Sequence, residues 1–259
     1  MIELDTIYNE DCLEGMKRIP DGSVDAIICD LPYGVLNKQS EGGSWDSIIP
    51  LEPMWEQYRR IIKDNGAIVL FAQGMFTAKL MMSQPKLWRY NLVWDKVRAT
   101  GFLNANRMPL RYHEDICVFY KSLPTYNPQM EDLNGREPNH PQGHGEHIEK
   151  NSCYGNVGRI NPTYEDKKHP RSIIRINAVH CNESQFHPTQ KPVNLLRYLI
   201  RTYTNEGETV LDNCMGSGTT AVAAVKENRH YIGFELSKEY FDKTCERIKN
   251  EQIQLKLDL

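Results

Sequence analysis

The chain lacks any apolar run near the roughly 18 residues that a bilayer-spanning helix requires, which sets membrane-embedded classes aside. Its start, Met1-Ile2-Glu3-Leu4-Asp5, lacks the basic and apolar regions of a secretory signal, so a cytoplasmic location is expected. Cysteine occurs seven times but never in CxxC spacing. An odd count without paired spacing argues against a disulfide framework and for free thiols in a reducing compartment. A charge excess is also missing: 31 Lys and Arg stand against 34 Asp and Glu, a net charge of −3. That sum does not point to a polyanionic partner, although it leaves local patches open. No internal repeat is visible. What remains is 259 residues with 40% hydrophobic and 25% charged content, enough for one large α/β domain, or a domain with an insert.

The first informative stretch is Ala26-Ile27-Ile28-Cys29-Asp30-Leu31-Pro32-Tyr33-Gly34. A β-branched run of strand length ends abruptly in an acid, a proline, an aromatic and a glycine. Such a run places a carboxylate, a stiff backbone and a ring at the C-terminal end of a strand, where open α/β sheets bind ligands. An ordinary strand-to-loop turn would look the same locally.

The rest of the N-terminal half alternates in period. Ile7 to Met16 reads as a strand end and a short helix that Asp11 can cap, stopped by Pro20-Asp21-Gly22-Ser23. The stretch Val35 to Ile49, with Gly42-Gly43-Ser44-Trp45, is a long loop that reads as a mobile lid or a plain surface loop. Leu51 to Ile62 has helical spacing, with Asp64-Asn65-Gly66 as its stop, and Ala67 to Phe71 is a buried strand. Phe76 to Met82 is helical; Tyr90 to Trp94 and Asp115 to Tyr120 are strands. This alternation predicts a parallel sheet covered on both faces.

From Lys121 to about Phe186 the texture changes to Asn, Pro, Gly, His and charge, with one short apolar piece at Ile173-Ile174-Arg175-Ile176. That composition suits an insert rather than core. His140, His144, His147 and Cys153 raise a metal reading, but they have neither zinc-ligand spacing nor a rigid scaffold, so no metal is expected. Charge is uneven as well. Lys86 to Lys121 holds seven Lys and Arg against three acids, and Lys150 to Arg175 holds six against two. Tyr112, Tyr154 and Tyr164 lie among these cations. Basic blocks interleaved with aromatics fit a phosphate backbone, although a solvated face would show the same count.

The second informative stretch is Glu208 to Thr220, a strand, a glycine turn (Gly216-Ser217-Gly218) and the start of a helix running from Thr219 to about Asn228. A further strand, His230 to Phe234, ends in Glu235, 19 positions after Gly216. In such a βαβ unit the glycines let backbone approach a nucleoside and the acid takes ribose hydroxyls. The third glycine of the dinucleotide fingerprint is absent, and Asp212 in the turn opposes a pyrophosphate. A ligand bearing an amine and a sulfonium, S-adenosylmethionine (AdoMet), suits that turn better than NAD.

With these pieces in this order, the chain resembles the β-group of amino-methylating DNA methyltransferases, which modify N6 of adenine or N4 of cytosine. The matching residues are Asp30-Leu31-Pro32-Tyr33; His187-Pro188-Thr189-Gln190-Lys191-Pro192 leading into a helix from Leu195 to Tyr203; Asp212 to Thr220; and Gly233-Phe234-Glu235-Leu236. The resemblance spans roughly residues 5–120 and 171–245. It implies a Rossmann-like AdoMet-dependent methyltransferase fold, a doubly wound, mostly parallel sheet with a target-recognition insert. The implied division is a catalytic part at 1–94, a recognition and DNA-contact region at about 95–185, and an AdoMet-binding part at 186–259.

Residue by residue, the resemblance implies that Asp30, Leu31, Pro32 and Tyr33 are catalytic. Gly216, Ser217 and Gly218, with Thr219 in the same turn, wrap the methionine part of AdoMet, and Asp212 lies near its amine. Glu235 takes the ribose, Thr189, Gln190 and Lys191 complete the cofactor pocket, and Asp11 is an additional contact. The DNA-contact candidates are Lys96, Arg98, Arg107, Arg111, Arg159, Lys167, Lys168 and Arg171, with double-stranded DNA as partner. A homodimer and a companion restriction endonuclease are further partners the resemblance raises, without choosing between them and a solitary enzyme.

The implied reaction is site-specific methylation of adenine N6 by base flipping and direct in-line transfer, the Asp30 carboxylate and Leu31 carbonyl accepting from the target amine and Tyr33 stacking on the base. The family usually has proline where Leu31 stands; leucine supplies the same carbonyl but not the fixed φ, so neighbours must hold the turn. The chain has no Pro-Cys dipeptide, which weighs against cytosine-C5 methylation through a thiolate. Asp rather than Ser in the first position of the tetrapeptide favours adenine over cytosine N4. The alternatives left standing are a cytosine-N4 enzyme, a catalytically silent AdoMet- or DNA-binding protein, and an NAD-dependent oxidoreductase.

Overall fold

A computed structural model describes residues 2–34, 46–132, 167–179, 187 and 189–257. Residues 1–127 and 172–259 form one compact unit, and Pro128–Arg171 form a second. The first unit holds β1 (Thr6–Tyr8), α1 (Cys12–Met16), β2 (Val24–Asp30), α2 (Leu51–Ile61), β3 (Ile62–Ala72), α3 (Met75–Ser83), β4 (Trp88–Thr100) and β5 (Arg111–Phe119). In the second unit, β6 (Glu131–Asp132) pairs antiparallel with β7 (Lys167–Lys168). The first unit resumes with β8 (Ile173–Arg175), α4 (Val193–Tyr203), β9 (Thr209–Asp212), α5 (Thr219–Lys226), β10 (His230–Phe234) and α6 (Lys238–Leu257).

Eight strands form one sheet in the order β1-β10-β9-β2-β3-β5-β4-β8. Its central strand β2 alternates between two cores. Ala26 and Ile28 face Leu195, Leu199, Val210 and Ala221, whereas Ile27 and Cys29 face Met54, Tyr58, Leu70 and Phe234. A strand buried on both faces reads as an unbroken apolar run, which is why Ala26 to Cys29 shows no polar alternation. Asp25 fastens this centre: its Oδ2 accepts from Thr209 N at 2.9 Å and its Oδ1 pairs with Lys63 at 2.5 Å.

The structure corrects the expected sheet in three places. β5 runs antiparallel to both β3 and β4, because the connection from Thr100 to Arg111 is a hairpin, too short for a parallel crossover. Asp64-Asn65-Gly66 do not end α2; β3 starts directly at Ile62, and the three residues lie where the register with β2 shifts. Gly66 is required there, since a Cβ would sit 2.8 Å from the Asp25 carbonyl oxygen. The short apolar piece at 173–175 is a strand, β8, laid parallel to β4. The C-terminal α6 has no counterpart in the sequence reading: its inward face is partly polar, with Thr244 fully buried and Ile248 5% exposed.

Candidate active site

The C-terminal ends of β2, β9 and β10 open into a cavity of about 1100 Å³ lined by Asp30, Tyr33, Gly216, Glu235, Lys191 and Asp11, among others. One wall is the end of β2. Leu31 is 3% exposed and packs its side chain among the α2-side core, so packing rather than a proline ring holds that backbone. Tyr33 donates its hydroxyl to Asp30 Oδ1 at 2.8 Å, and its ring lies 5.2 Å from that of Phe76. The other Asp30 oxygen, Oδ2, is bonded by Lys191 Nζ. Burial pushes the Asp30 carboxyl up and the Lys191 ammonium pulls it back. Lys191 keeps its proton: Asp30 and Glu114 together outweigh the burial that would strip it.

The opposite wall is the glycine turn. Gly216 (φ +51°) donates its N–H to Glu235 Oε2 at 2.8 Å, and Glu235 Oε1 accepts from Ser237 N at 2.7 Å. Asp212 accepts from Cys214 N at 3.0 Å and from the Thr220 hydroxyl at 2.6 Å. Burial pushes the Asp212 carboxyl up to about 6 despite those bonds. Ser217 and Thr219 share a hydroxyl–hydroxyl bond of 2.9 Å. From outside, α6 clamps the turn: the Thr244 hydroxyl donates to Gly216 O at 2.6 Å, and Arg247 Nη1 donates to Ser217 O at 2.7 Å.

Asp11 caps α1, accepting from Leu13 N at 2.8 Å, while lining the same cavity. Thr189 is exposed at the rim; Gln190 lines the cavity, and its Oε1 is buried with no partner among the described residues. Lys191, by contrast, spends its ammonium on Asp30 and Glu114 rather than on the glycine turn. Three further residues escaped the sequence reading as site members. Glu114 of β5 reaches Lys96 at 2.5 Å and Lys191 at 3.4 Å. The His187 ring lies 4.4 Å from that of Tyr240, tilted by 59°, and burial lowers its imidazole to about 4, so it is neutral. Asn213 accepts from Tyr58 at 2.5 Å beneath the turn. In the sequence Glu114 shows only as an acid offsetting a basic block, and His187 only as the first residue of His187-Pro188-Thr189-Gln190-Lys191-Pro192.

Residues 24–246 of the chain match the N6/N4 DNA methylase family. The chain belongs to this family. Its relatives include the type II methyltransferase M.HpaI of Haemophilus parainfluenzae, 26% identical across 92% of this chain and 72% of that protein. The type II methyltransferase M2.MboI of Moraxella bovis is 27% identical across 95% and 90%. Among solved structures, M1.HpyAVI in complex with SAM superposes with a TM-score of 0.62 at 22% identity, covering 94% of this chain and 98% of that one. The cytosine-N4-specific PvuII DNA methyltransferase gives 0.64 at 16% identity, with 95% and 90% covered. These matches establish the methyltransferase fold for the sheet described above.

In this methylase the candidate DNA-contact residues fall into distinct environments. Lys96 is corrected: it is 7% exposed with its ammonium on Glu114, so it is part of the cavity wall rather than a solvent-facing cation. Arg98, Arg107 and Arg111 are exposed along the β4–β5 hairpin, with Arg111 Nη1 on Gln73 Oε1 at 2.6 Å beside the cavity. That hairpin carries no acid between Asp95 and Glu114, and its tip exposes Phe102 and Leu103. Within the second unit, Lys168 and Arg171 pair with Glu131 at 3.3 and 3.1 Å, and Lys167 is exposed. Arg159, the stretch 35–45 of the expected lid, and His140, His144, His147 and Cys153 lie outside the described residues. Among the described residues no cluster of metal-ligating side chains occurs and no helix is long and apolar enough to cross a membrane.

Proposed function

We propose that this methylase transfers a methyl group from AdoMet to N6 of adenine at specific sites in double-stranded DNA, with the target base rotated out of the duplex into the cavity. The observation that carries the reading is Asp30 at the end of β2, a half-buried carboxylate facing the same cavity as the glycine turn. The donor set suits AdoMet. Asp212, Glu235 and Asp11 face a ligand that carries an ammonium and a sulfonium, and Gln190, which lines the same cavity, has its Oε1 without a partner among the described residues. When bound, AdoMet supplies an electrophilic methyl on a sulfonium. Glu235, already held by two backbone N–H groups, keeps lone pairs for ribose hydroxyls, and Asp212 balances the amine.

Asp30 and the Leu31 carbonyl accept hydrogen bonds from the two N–H groups of the exocyclic amine, localising a lone pair that is otherwise spread into the ring. With AdoMet bound, its methyl would be the group the amine nitrogen takes, the electron pair of the S–CH3 bond staying on sulfur, and Asp30 would accept the proton that the amine gives up. Positioning and a preorganised charge supply the rate, without a covalent intermediate. The Tyr33 hydroxyl holds Asp30 in place, which leaves the ring face for the flipped base. Asp at the head of the tetrapeptide favours adenine. Incubation with tritiated AdoMet and DNA, followed by sequencing for modified positions, tests base, atom and site together: N6-methyladenine is expected, and label at cytosine N4 replaces the adenine assignment.

Two results follow for binding. A cationic ligand favours the Asp212 carboxylate, so AdoMet binding drives off the proton that part of the ligand-free protein carries near pH 6. Affinity therefore rises with pH, by about tenfold from pH 5 to 7, and levels above that. Calorimetry in buffers of different ionisation heat checks this through proton release on binding; proton uptake is the contrary result. For DNA, the double substitution Arg107→Gln with Arg111→Gln lowers the slope of log affinity against log salt by about two, measured by fluorescence anisotropy.

A further inference from the structure

We propose that Lys191 is a movable counter-ion for Asp30, and that Glu114 is the second seat to which its ammonium moves when the target amine arrives. The inference rests on the reading that Asp30 accepts from that amine. In the structure both Asp30 oxygens are occupied, Oδ1 by the Tyr33 hydroxyl and Oδ2 by Lys191 Nζ. A carboxylate in contact with a full positive charge is a weak acceptor for a third donor, so the arrangement seen is a resting one. Each Asp30 oxygen keeps a second lone pair, and the bond to the amine strengthens as the Lys191 ammonium withdraws from Oδ2.

Its destination is already built. Glu114 Oε2 is buried and its one partner among the described residues is Lys191 Nζ, in an ion pair at 3.4 Å that is long and poorly aligned for a hydrogen bond. Buried carboxylate oxygens are seldom left without a donor, because the lost hydration is not replaced. The other Glu114 oxygen, Oε1, is held by Lys96 at 2.5 Å, which fixes the carboxylate while Oε2 has room for a closer approach by Lys191. Lys191 Nζ also lies 5.2 Å from the centre of the Phe71 ring, a cation–π attraction of low directionality that tolerates a lateral slide. Asp30, Lys191, Glu114 and Lys96 sum to zero charge before and after the move. Each buried charge keeps a partner throughout, including the moment when Asp30 takes the amine proton and becomes neutral. Lys191 and Glu114 are thus positioning residues that act through Asp30.

The test is single-turnover methyl transfer on the full chain with saturating AdoMet and duplex DNA. Glu114→Gln removes the charged second seat and strands Lys191 on Asp30, so the rate constant falls about 100-fold while both ligands bind within about twofold of wild type. Adding Lys191→Met removes the trapped ammonium and restores charge balance, so the double variant runs about tenfold faster than Glu114→Gln alone. A merely structural pair would make the double variant as slow or slower, and that result overturns the proposal. Asp30→Ala in the same assay separates the two readings. If it is slow while the double variant is unrescued, the movable counter-ion alone falls; if it is fully active, the role of Asp30 falls and this proposal with it. Should Glu114→Gln fail to fold, Lys191→Met decides: without its cation the Asp30 carboxyl titrates higher, and the acidic limb of the rate profile moves to higher pH. An unmoved limb overturns the proposal.

Discussion

Asp30→Ala is expected to slow methyl transfer to DNA by at least about 10³-fold, roughly 4 kcal/mol of transition-state stabilisation, while AdoMet binding stays measurable. The exocyclic amine is a poor nucleophile until its N–H groups find acceptors, and Asp30 supplies the only one of the two that is charged. Alanine deletes that acceptor and the base that receives the proton. It leaves the cofactor wall intact, because the glycine turn is held by Glu235, Thr244 and Arg247 rather than by Asp30. Nor does it orphan the Lys191 ammonium, which retains Glu114 Oε2 at 3.4 Å. The loss should therefore fall on the chemical step. Asp30→Asn, with a carbonyl oxygen but no charge, is expected to fall between wild type and alanine. Single-turnover tritium transfer beside calorimetric AdoMet binding measures both quantities. Undiminished turnover by the alanine variant would remove Asp30 from the mechanism.

The elements that the sequence made legible are those whose signal is local. Ala26 to Cys29 and the pair Val210 and Leu211 are buried on both faces, so their strand character shows as unbroken apolar runs. The glycine turn shows because backbone at φ +51° and +73° demands glycine at 216 and 218. What stayed hidden is long-range. Asp30 and Lys191 are 161 positions apart, so no periodicity or spacing pairs them. Lys96 has the composition of a surface cation, since local charge carries no information on burial; the β4–β5 register that sets Trp94 against Glu114 brings Lys96 and Glu114 into one wall. The antiparallel turn of β5 was similarly invisible, since an apolar strand has the same composition in either direction. α6 was overlooked because its inward face mixes Thr244 with Ile248, although Phe241, Thr244 and Ile248 repeat at helical spacing.

Gly218→Ala is expected to cost about 2–4 kcal/mol of stability, lowering Tm by roughly 5–15 °C for a chain of this size. Two separate causes add. The backbone at Gly218 has φ +73°, a left-handed conformation that costs an alanine about 1–2 kcal/mol. A Cβ there would also stand 2.4 Å from Thr244 Cγ2. Thr244 cannot swing aside freely, because its hydroxyl donates to Gly216 O at 2.6 Å and it is fully buried. Relief of the clash therefore pulls on the turn that lines the cofactor cavity, and AdoMet affinity falls with stability. The two causes can be separated. Thr244→Ser deletes the obstructing methyl while keeping the hydroxyl that bonds Gly216, so in the Gly218→Ala background it should recover the steric share and leave the backbone share. A double-mutant cycle on Tm and on AdoMet affinity reads the coupling directly. Recovery of about half the stability loss, with AdoMet affinity returning toward wild type, is the expected result. Strict additivity would show that the contact between α6 and the glycine turn does not transmit the strain, and that left-handed backbone alone requires glycine at this position.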